Sequence, residues 1–398
     1  MKKILFCTRS GLEQDNSTGG QILRIKTSIK SLRHIAKVDV VSRNPRFSKN
    51  KKFKYLKIGN FYYAPSVTKL LSNNKILKAI QWRVRELFNL YKDAKYIANL
   101  YKKNNYDCLW VSYASQSYLL INAIKKIDKK IKIISDTDSV YYKFIEREIE
   151  YSNFIRKIIL FFYSRVYKIF ERKLINISNI TTAVSTTDKK IFLSLDKSKK
   201  IYLFRNSVEI KKYKKKSDIS KSYNIIISGT FGGSNSPMNI STEWFLNEIY
   251  PIIQKRIKNL KVYLVGMNSD IFFNNFNNHA QNITATGWVK SIKKYFEIAD
   301  LAVVPLLYES GTRFKILEAA VHRIAVISTT LGAEGLALKN NKHIILENNA
   351  KKFANKMVYL SKNKKVTNIL ASNNYKIVAS NFNLLSQVKD AKIILKNL

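Results

Sequence analysis

Residues 301–336 read LAVVPLLYESGTRFKILEAAVHRIAVISTTLGAEGL. The run opens on an apolar stretch, Leu301–Pro305, with the length of a buried strand. A polar loop follows at Tyr308-Glu309-Ser310-Gly311-Thr312-Arg313. Then Ile316, Leu317, Ala319 and Ala320 recur at helical spacing. A second apolar run, Ala325–Ser328, ends in another glycine-containing loop, Thr329–Gly335. Strand, loop, helix and strand in this order form a crossover unit of a parallel sheet.

The same alternation extends outward in both directions. Before residue 206 the strand candidates are Ile4–Thr8, Val38–Ser42, Tyr106–Ser112, Ile131–Ser135 and Ile180–Ser185. After residue 222 they are Asn224–Ser228, Lys261–Val265, Leu301–Pro305, Ala325–Ser328 and His343–Leu346. Segments such as Gln21–Leu32 and Thr242–Ile257 have helical spacing between them. The fold class is therefore α/β, with two Rossmann-like domains, each built on a parallel sheet. The lysine-rich run Lys211–Lys216 has no apolar periodicity and reads as a solvated linker between them. The length, 398 residues, also exceeds what one hydrophobic core usually serves.

The loop before the helix at 314 suits a diphosphate. Free N–H groups at a helix start attract anions. Gly311 permits close backbone approach. Arg313 and Lys315 add positive charge, with Arg able to grip phosphate through two bonds and Lys acting as a point charge. Glu318 sits about one turn into the helix, where a carboxylate can accept hydrogen bonds from a ribose diol. In the first half, Ser17-Thr18-Gly19-Gly20 precedes a helix and allows close approach of a phosphate or an acceptor. Ser135-Asp136-Thr137-Asp138-Ser139 follows a strand, where ligands of open α/β sheets gather. Either Asp136 or Asp138 could position substrate, or cap the next helix.

Gly311-Thr312-Arg313-Phe314-Lys315-Ile316-Leu317-Glu318, followed by Thr329-Thr330-Leu331-Gly332-Ala333-Glu334-Gly335, resembles the donor-binding core of retaining glycosyltransferases of the GT-B fold, glycosyltransferase family 4 or "group 1". The family places a first Glu where this chain has Ser310, with Glu309 one residue away. Many members carry Arg and Lys in the loop that here reads Gly229–Asn239, including Gly232, and has neither. Arg313 and Lys315 are then the substitutes. Thr286-Gly287-Trp288-Val289 resembles the family turn that meets the nucleobase, and Asn206-Ser207-Val208-Glu209 resembles its domain-junction turn. Many members have a histidine near Asp138; this chain has none there.

The resemblance implies two domains facing a central cleft. The first, 1–205, takes the acceptor. A basic linker, 206–222, leads to a nucleotide-sugar-binding domain, 223–375, and a C-terminal helix, 376–398, returns to the first domain. It also implies a hexosyl transferase with no cofactor beyond its nucleotide-diphosphate sugar. Arg313, Lys315 and Asp138 are the expected catalytic residues. The donor contacts are Gly19, Gly20, Gly232, Trp288, Val289, Ser310, Gly311, Thr312, Arg313, Lys315 and Glu318. No metal site is expected: four histidines lie scattered, and Cys7 and Cys108 sit in strand-like runs as reduced core residues.

The formal net charge of +44 favours phosphate-rich partners: nucleotides, anionic lipid or nucleic acid. No nucleic-acid motif accompanies the charge, so a nucleic-acid-binding protein is not favoured. A GT-B relative acting as epimerase, hydrolase or inactive scaffold is the nearer alternative. Basic and aromatic residues mix in Asn153–Ile175 and Lys75–Lys103, and no apolar stretch is long enough to span a bilayer. The apolar N-terminal stretch is also too short for a signal peptide. The expectation is a cytoplasmic enzyme, peripheral on an anionic inner membrane, that extends a glycan or lipid-linked acceptor of a bacterial surface polysaccharide.

Overall fold

A strand buried on both faces needs apolar residues at nearly every position, and such runs form two parallel sheets here. The structure, a computed structural model, describes residues 1–9, 20–43, 56–64, 75–210, 222–233, 235–276 and 281–398, with only the backbone of 75–88. The first sheet contains β1 (Lys2–Thr8), β2 (Ala36–Ser42), β3 (Phe61–Tyr63), β4 (Cys108–Ser112), β5 (Ile133–Asp136), β6 (Ile180–Ala183) and β7 (Ile201–Leu203). Its order is β3-β2-β1-β4-β5-β6-β7. The second contains β8 (Tyr223–Ser228), β9 (Leu260–Val265), β10 (Ile283–Ala285), β11 (Leu301–Val304), β12 (Ala325–Ser328) and β13 (Ile345–Leu346). Its order is β10-β9-β8-β11-β12-β13. All strand pairs are parallel, with registers such as Ile4↔Cys108 and Leu301↔Ile225.

Each sheet therefore reverses its winding once, between β1 and β4 and between β8 and β11. Ligands of open α/β sheets bind at the carboxyl ends of strands beside such a switch. The two switch points open toward each other, and this shared cleft is where the candidate site lies.

The core of the second domain joins Ile225–Ile227, Leu301–Val304 and Ala325–Ile327 to the apolar sides of the covering helices. One of these helical stretches runs Pro237–Trp244, Phe245–Ile249 and Tyr250–Arg256, its middle part wound as a π-helix. Pro251 has no N–H to donate, so a locally widened turn accommodates it. Ser236 caps the start by accepting from the Asn239 N–H, and Pro237 occupies the first turn.

The C-terminal segment forms two helices, Lys364–Asn381 and Leu384–Lys396. The last packs Ala391, Ile394 and Leu395 into the first domain's core beside Ile25 and Ile29. Asp390 holds the Arg205 guanidinium at 2.6 Å, and Gln387 accepts from Ser207 Oγ at 2.7 Å.

The start of the expected linker is not solvent-washed: Asn206 and Ser207 are buried, and the Val208 N–H donates to Phe382 O at 2.7 Å. The lysine run Lys211–Lys216 lies outside the described residues, as do Ser17, Thr18 and Gly19. Cys7 and Cys108 are free and buried, and burial pushes both thiols up to about 12. Among the described residues no helix is long and apolar enough to cross a membrane.

Candidate active site

The cleft holds a cavity of about 760 Å3, lined from both domains. Gly20 and Arg24 at the first helix, Tyr113 after β4, and Asp138 after β5 supply one wall. Gly229 and Thr230 after β8, Gly266 after β9, Trp288 after β10 and, after β11, Glu309, Ser310, Thr312–Lys315 and Glu318 supply the other.

The helix Phe314–Val321 starts at the cleft, with Arg313 at its cap position. Lys315 points its ammonium into the cavity wall, where Nζ lies 2.8 Å from the Met238 thioether. A thioether is a weak acceptor and carries no charge. Among the described residues no carboxylate closes an ion pair on Lys315. Burial lowers its pKa to about 8, against the pull of the Glu309 and Glu318 carboxylates. Glu318 also lines the cavity, and burial raises its carboxyl to about 7. The site thus holds a half-buried ammonium without an anion.

Arg313 is different from the expected free fork. Its guanidinium donates to the carbonyls of Ser310, at 2.7 Å, and Gly311, and the residue is 4% exposed. The side chain braces the loop that Lys315 leaves, while still contributing to the cavity lining. Gly311 is likewise not the point of ligand approach. Its φ is +79°, and a Cβ there would collide with the Asp138 carbonyl, so the glycine lets two loops from opposite domains pass each other. Gly232 lies off the cavity lining; Gly229 and Thr230 of the same loop take that place. Gly20, Trp288, Val289, Ser310, Thr312, Lys315 and Glu318 line the cavity. The Trp288 side chain is 54% exposed and forms an indole wall.

The two aspartates separate cleanly. Asp136 is fully buried, pairs with Arg24 at 2.5 Å, and accepts from Trp110 Nε1 at 3.2 Å and Thr182 Oγ1 at 2.9 Å. It is committed to the fold. Asp138 faces the cavity, and burial raises its carboxyl to about 7. The two carboxylates therefore do not present a common metal face. Among the described residues no group of three or more His, Cys, Asp or Glu side chains is placed to hold a metal ion.

Sequence reasoning missed Arg24 as a site residue and undervalued Asn206. Arg24 donates to Asn206 Oδ1 at 2.6 Å, and Asn206 Nδ2 donates to Thr312 Oγ1 at 2.6 Å. This chain of bonds ties the first domain's buried ion pair to the loop 309–313 of the second domain. The signal was an Arg four positions past a Gly-Gly turn, which alone says nothing. Further bonds cross the cleft. Arg147 makes a two-bond pair with Glu334, at 2.7 and 2.9 Å, and donates to Glu309 O at 2.6 Å. Tyr151 stacks on Tyr308 at 5.4 Å between centroids.

Two Rossmann-like parallel sheets opposed across a cleft make up the GT-B architecture. Residues 227–363 match the family model described as glycosyl transferases group 1. The chain resembles sucrose-phosphate synthase from Thermosynechococcus elongatus, with a TM-score of 0.74, 12% identity, and coverage of 100% of this chain and 98% of that one. It also resembles Anabaena HepE, solved in complex with UDP-glucose, with a TM-score of 0.68, 13% identity and full coverage of both chains. An uncharacterised 44.6 kDa protein in the cps region of Klebsiella pneumoniae is 22% identical over 335 residues, 81% of each chain. The chain has the GT-B fold of these structures, and its second domain resembles the group 1 glycosyl transferases.

Proposed function

We propose that this enzyme transfers a hexosyl group from a nucleoside diphosphate sugar to a glycan or lipid-linked acceptor of a bacterial surface polysaccharide, with retention at the anomeric carbon and without a metal ion. The observation that carries the reading is Lys315, an unpaired half-buried ammonium facing the cleft at both switch points. A diphosphate leaving group is the anion that such a position demands. Trp288 would face the nucleobase and Glu318 the ribose, while Asp138 would contact the sugar or acceptor hydroxyl. During transfer the anomeric C–O bond to the diphosphate breaks, the acceptor oxygen bonds to that carbon, and the acceptor proton passes to the departing phosphate.

The likeness to a protein solved with UDP-glucose supports a nucleotide-sugar donor, and the relative in a cps region supports a capsule-type glycan. The lack of a spanning helix among the described residues and the basic-aromatic helix Phe154–Ile177 support a cytoplasmic enzyme working at an anionic membrane face.

The test is a thermal-shift panel of UDP, GDP, ADP and dTDP, followed by product analysis with the matching sugar donor. One nucleotide should stabilise the protein, and sugar transfer should require an acceptor. No stabilisation by any of them sinks the donor reading. Sugar release that is equal with and without acceptor makes the protein a hydrolase.

Two expected results follow from the site's charges. Activity should survive EDTA, since Lys315 and the N–H groups at the start of helix Phe314–Val321 would supply positive partners for the leaving group. Loss restored by Mg2+ or Mn2+ would instead assign a metal to the reaction. Nucleotide affinity should also fall as pH rises through about 8, where Lys315 loses its proton. The sign is fixed: the ammonium exists below that pH, and a bound anion stabilises it, so binding takes up protons near and above it. Calorimetry in two buffers of different ionisation heat measures that uptake. Lys315→Arg, charged throughout, should hold its affinity across the same range.

A further inference from the structure

Helix Phe154–Ile177 is the most exposed apolar surface of the described chain. Its buried side is narrow: Leu160, Ser164, Glu171, Leu174 and Ile175. On the opposite side Ile155, Ile158, Ile159, Phe162, Val166 and Ile169 are all exposed, Ile155 at 72% and Phe162 at 64%. At 3.6 residues per turn these six fall within an arc of about 100° and run some 21 Å along the helix. Water contact along so long an apolar stripe is unfavourable unless something covers it.

The charges choose the occupant. The helix carries six basic residues, Arg156, Lys157, Arg165, Lys168, Arg172 and Lys173, and a single acidic one, Glu171, which is buried. A second copy of the chain seated on the stripe would bring cations against cations. An anionic lipid surface supplies both the apolar depth and the opposite charge. The helix is long enough to span a bilayer but too charged to do so, so it fits the plane of the interface.

We infer that this helix inserts its Ile155–Ile169 stripe into an anionic lipid monolayer and so fixes the cleft mouth at the membrane surface. Its N-terminus is placed for this. Asn153 caps the helix two residues after Tyr151, which stacks on Tyr308 across the cleft. Arg156 pairs with Glu148 of the preceding helix, whose Arg147 holds Glu334 and the Glu309 carbonyl. Inserted residues and donor loop are thus joined through a few direct contacts. The inference deepens the transferase reading by giving its lipid-linked acceptor a route into the cleft, but its test needs neither donor nor acceptor.

The full-length protein is sedimented with phosphatidylcholine vesicles and with vesicles containing phosphatidylglycerol as well. The protein should pellet with the anionic vesicles and little with the neutral ones. The variant Ile155→Ser/Ile159→Ser/Phe162→Ser should lose partitioning by about tenfold or more, since it removes the inserted surface. It should melt at the wild-type temperature and keep its stabilisation by nucleotide, because all three side chains lie on the surface. Lys157→Gln/Arg165→Gln/Arg172→Gln should remove the part of binding that salt reverses. Equal pelleting with neutral and anionic vesicles overturns the inference, as does a triple-serine variant that binds like wild type. A wild-type dimer in light scattering that the triple-serine variant converts to monomer overturns it too, in favour of a second copy. Vesicle binding without nucleotide stabilisation would leave this inference standing while the donor reading fails.

Discussion

Lys315→Met is expected to weaken nucleoside diphosphate binding by about 1.5–3 kcal/mol, roughly 10- to 150-fold, the usual range for a lost charged hydrogen bond. Methionine keeps the length of the side chain and fits beside Met238, where the ammonium now lies. The fold should therefore tolerate it, and the loss should appear in nucleotide affinity and turnover with an unchanged melting temperature. Arg313→Ala should behave differently. Its guanidinium satisfies the Ser310 and Gly311 carbonyls, so its removal should lower stability and turnover together. Titration with the nucleotide that stabilises the wild type, alongside melting curves, separates the two effects. A double Arg313→Ala/Lys315→Ala variant with near wild-type turnover would place the diphosphate elsewhere.

Asp136→Ala is expected to cost about 3–5 kcal/mol of stability, the range for leaving one partner of a buried ion pair alone. Arg24 would remain buried, its Nε already without a partner and its Asp136 bond gone. The disturbance should reach the loop 309–313 through Asn206 and Thr312. Asp138→Asn keeps the shape of a residue that faces the cavity, so its stability should stay near that of wild type while turnover falls. Denaturant unfolding and initial rates on both variants check this. Equal stability losses would mean that Asp138 is as structural as its neighbour.

Much of the architecture was legible because buried parallel strands must be apolar at nearly every position. The runs around β1, β2, β4, β8, β9, β11 and β12 announced themselves that way. The three strands with no signal were β3, β7 and β10, each of three residues. All three lie at sheet edges, with one hydrogen-bonded neighbour, so they need neither length nor a two-sided apolar pattern. Boundaries shifted by a few residues for a related reason: Tyr106 is buried ahead of the strand, and the exposed Asp107 donates its N–H to the Lys3 carbonyl at 2.8 Å one residue before β4 begins.

By itself the sequence determined the α/β class, the two sheets and the loop and helix at 309–318, which the structure places at the cleft. These follow from local periodicity and from charge at a helix start, which neighbouring residues express along the chain. Only the tertiary structure decided how the side chains divide their work. It set Arg313 against its own loop's carbonyls and left Lys315 without an anion. It also buried Asp136 beside Arg24, 112 positions away in the chain, and left Asp138 at the cleft. Which face of helix Phe154–Ile177 meets the protein was also a tertiary decision, since both of its sides are apolar in sequence. A side chain's partner depends on which distant segments the fold brings within about 3 Å, and no local pattern encodes that distance.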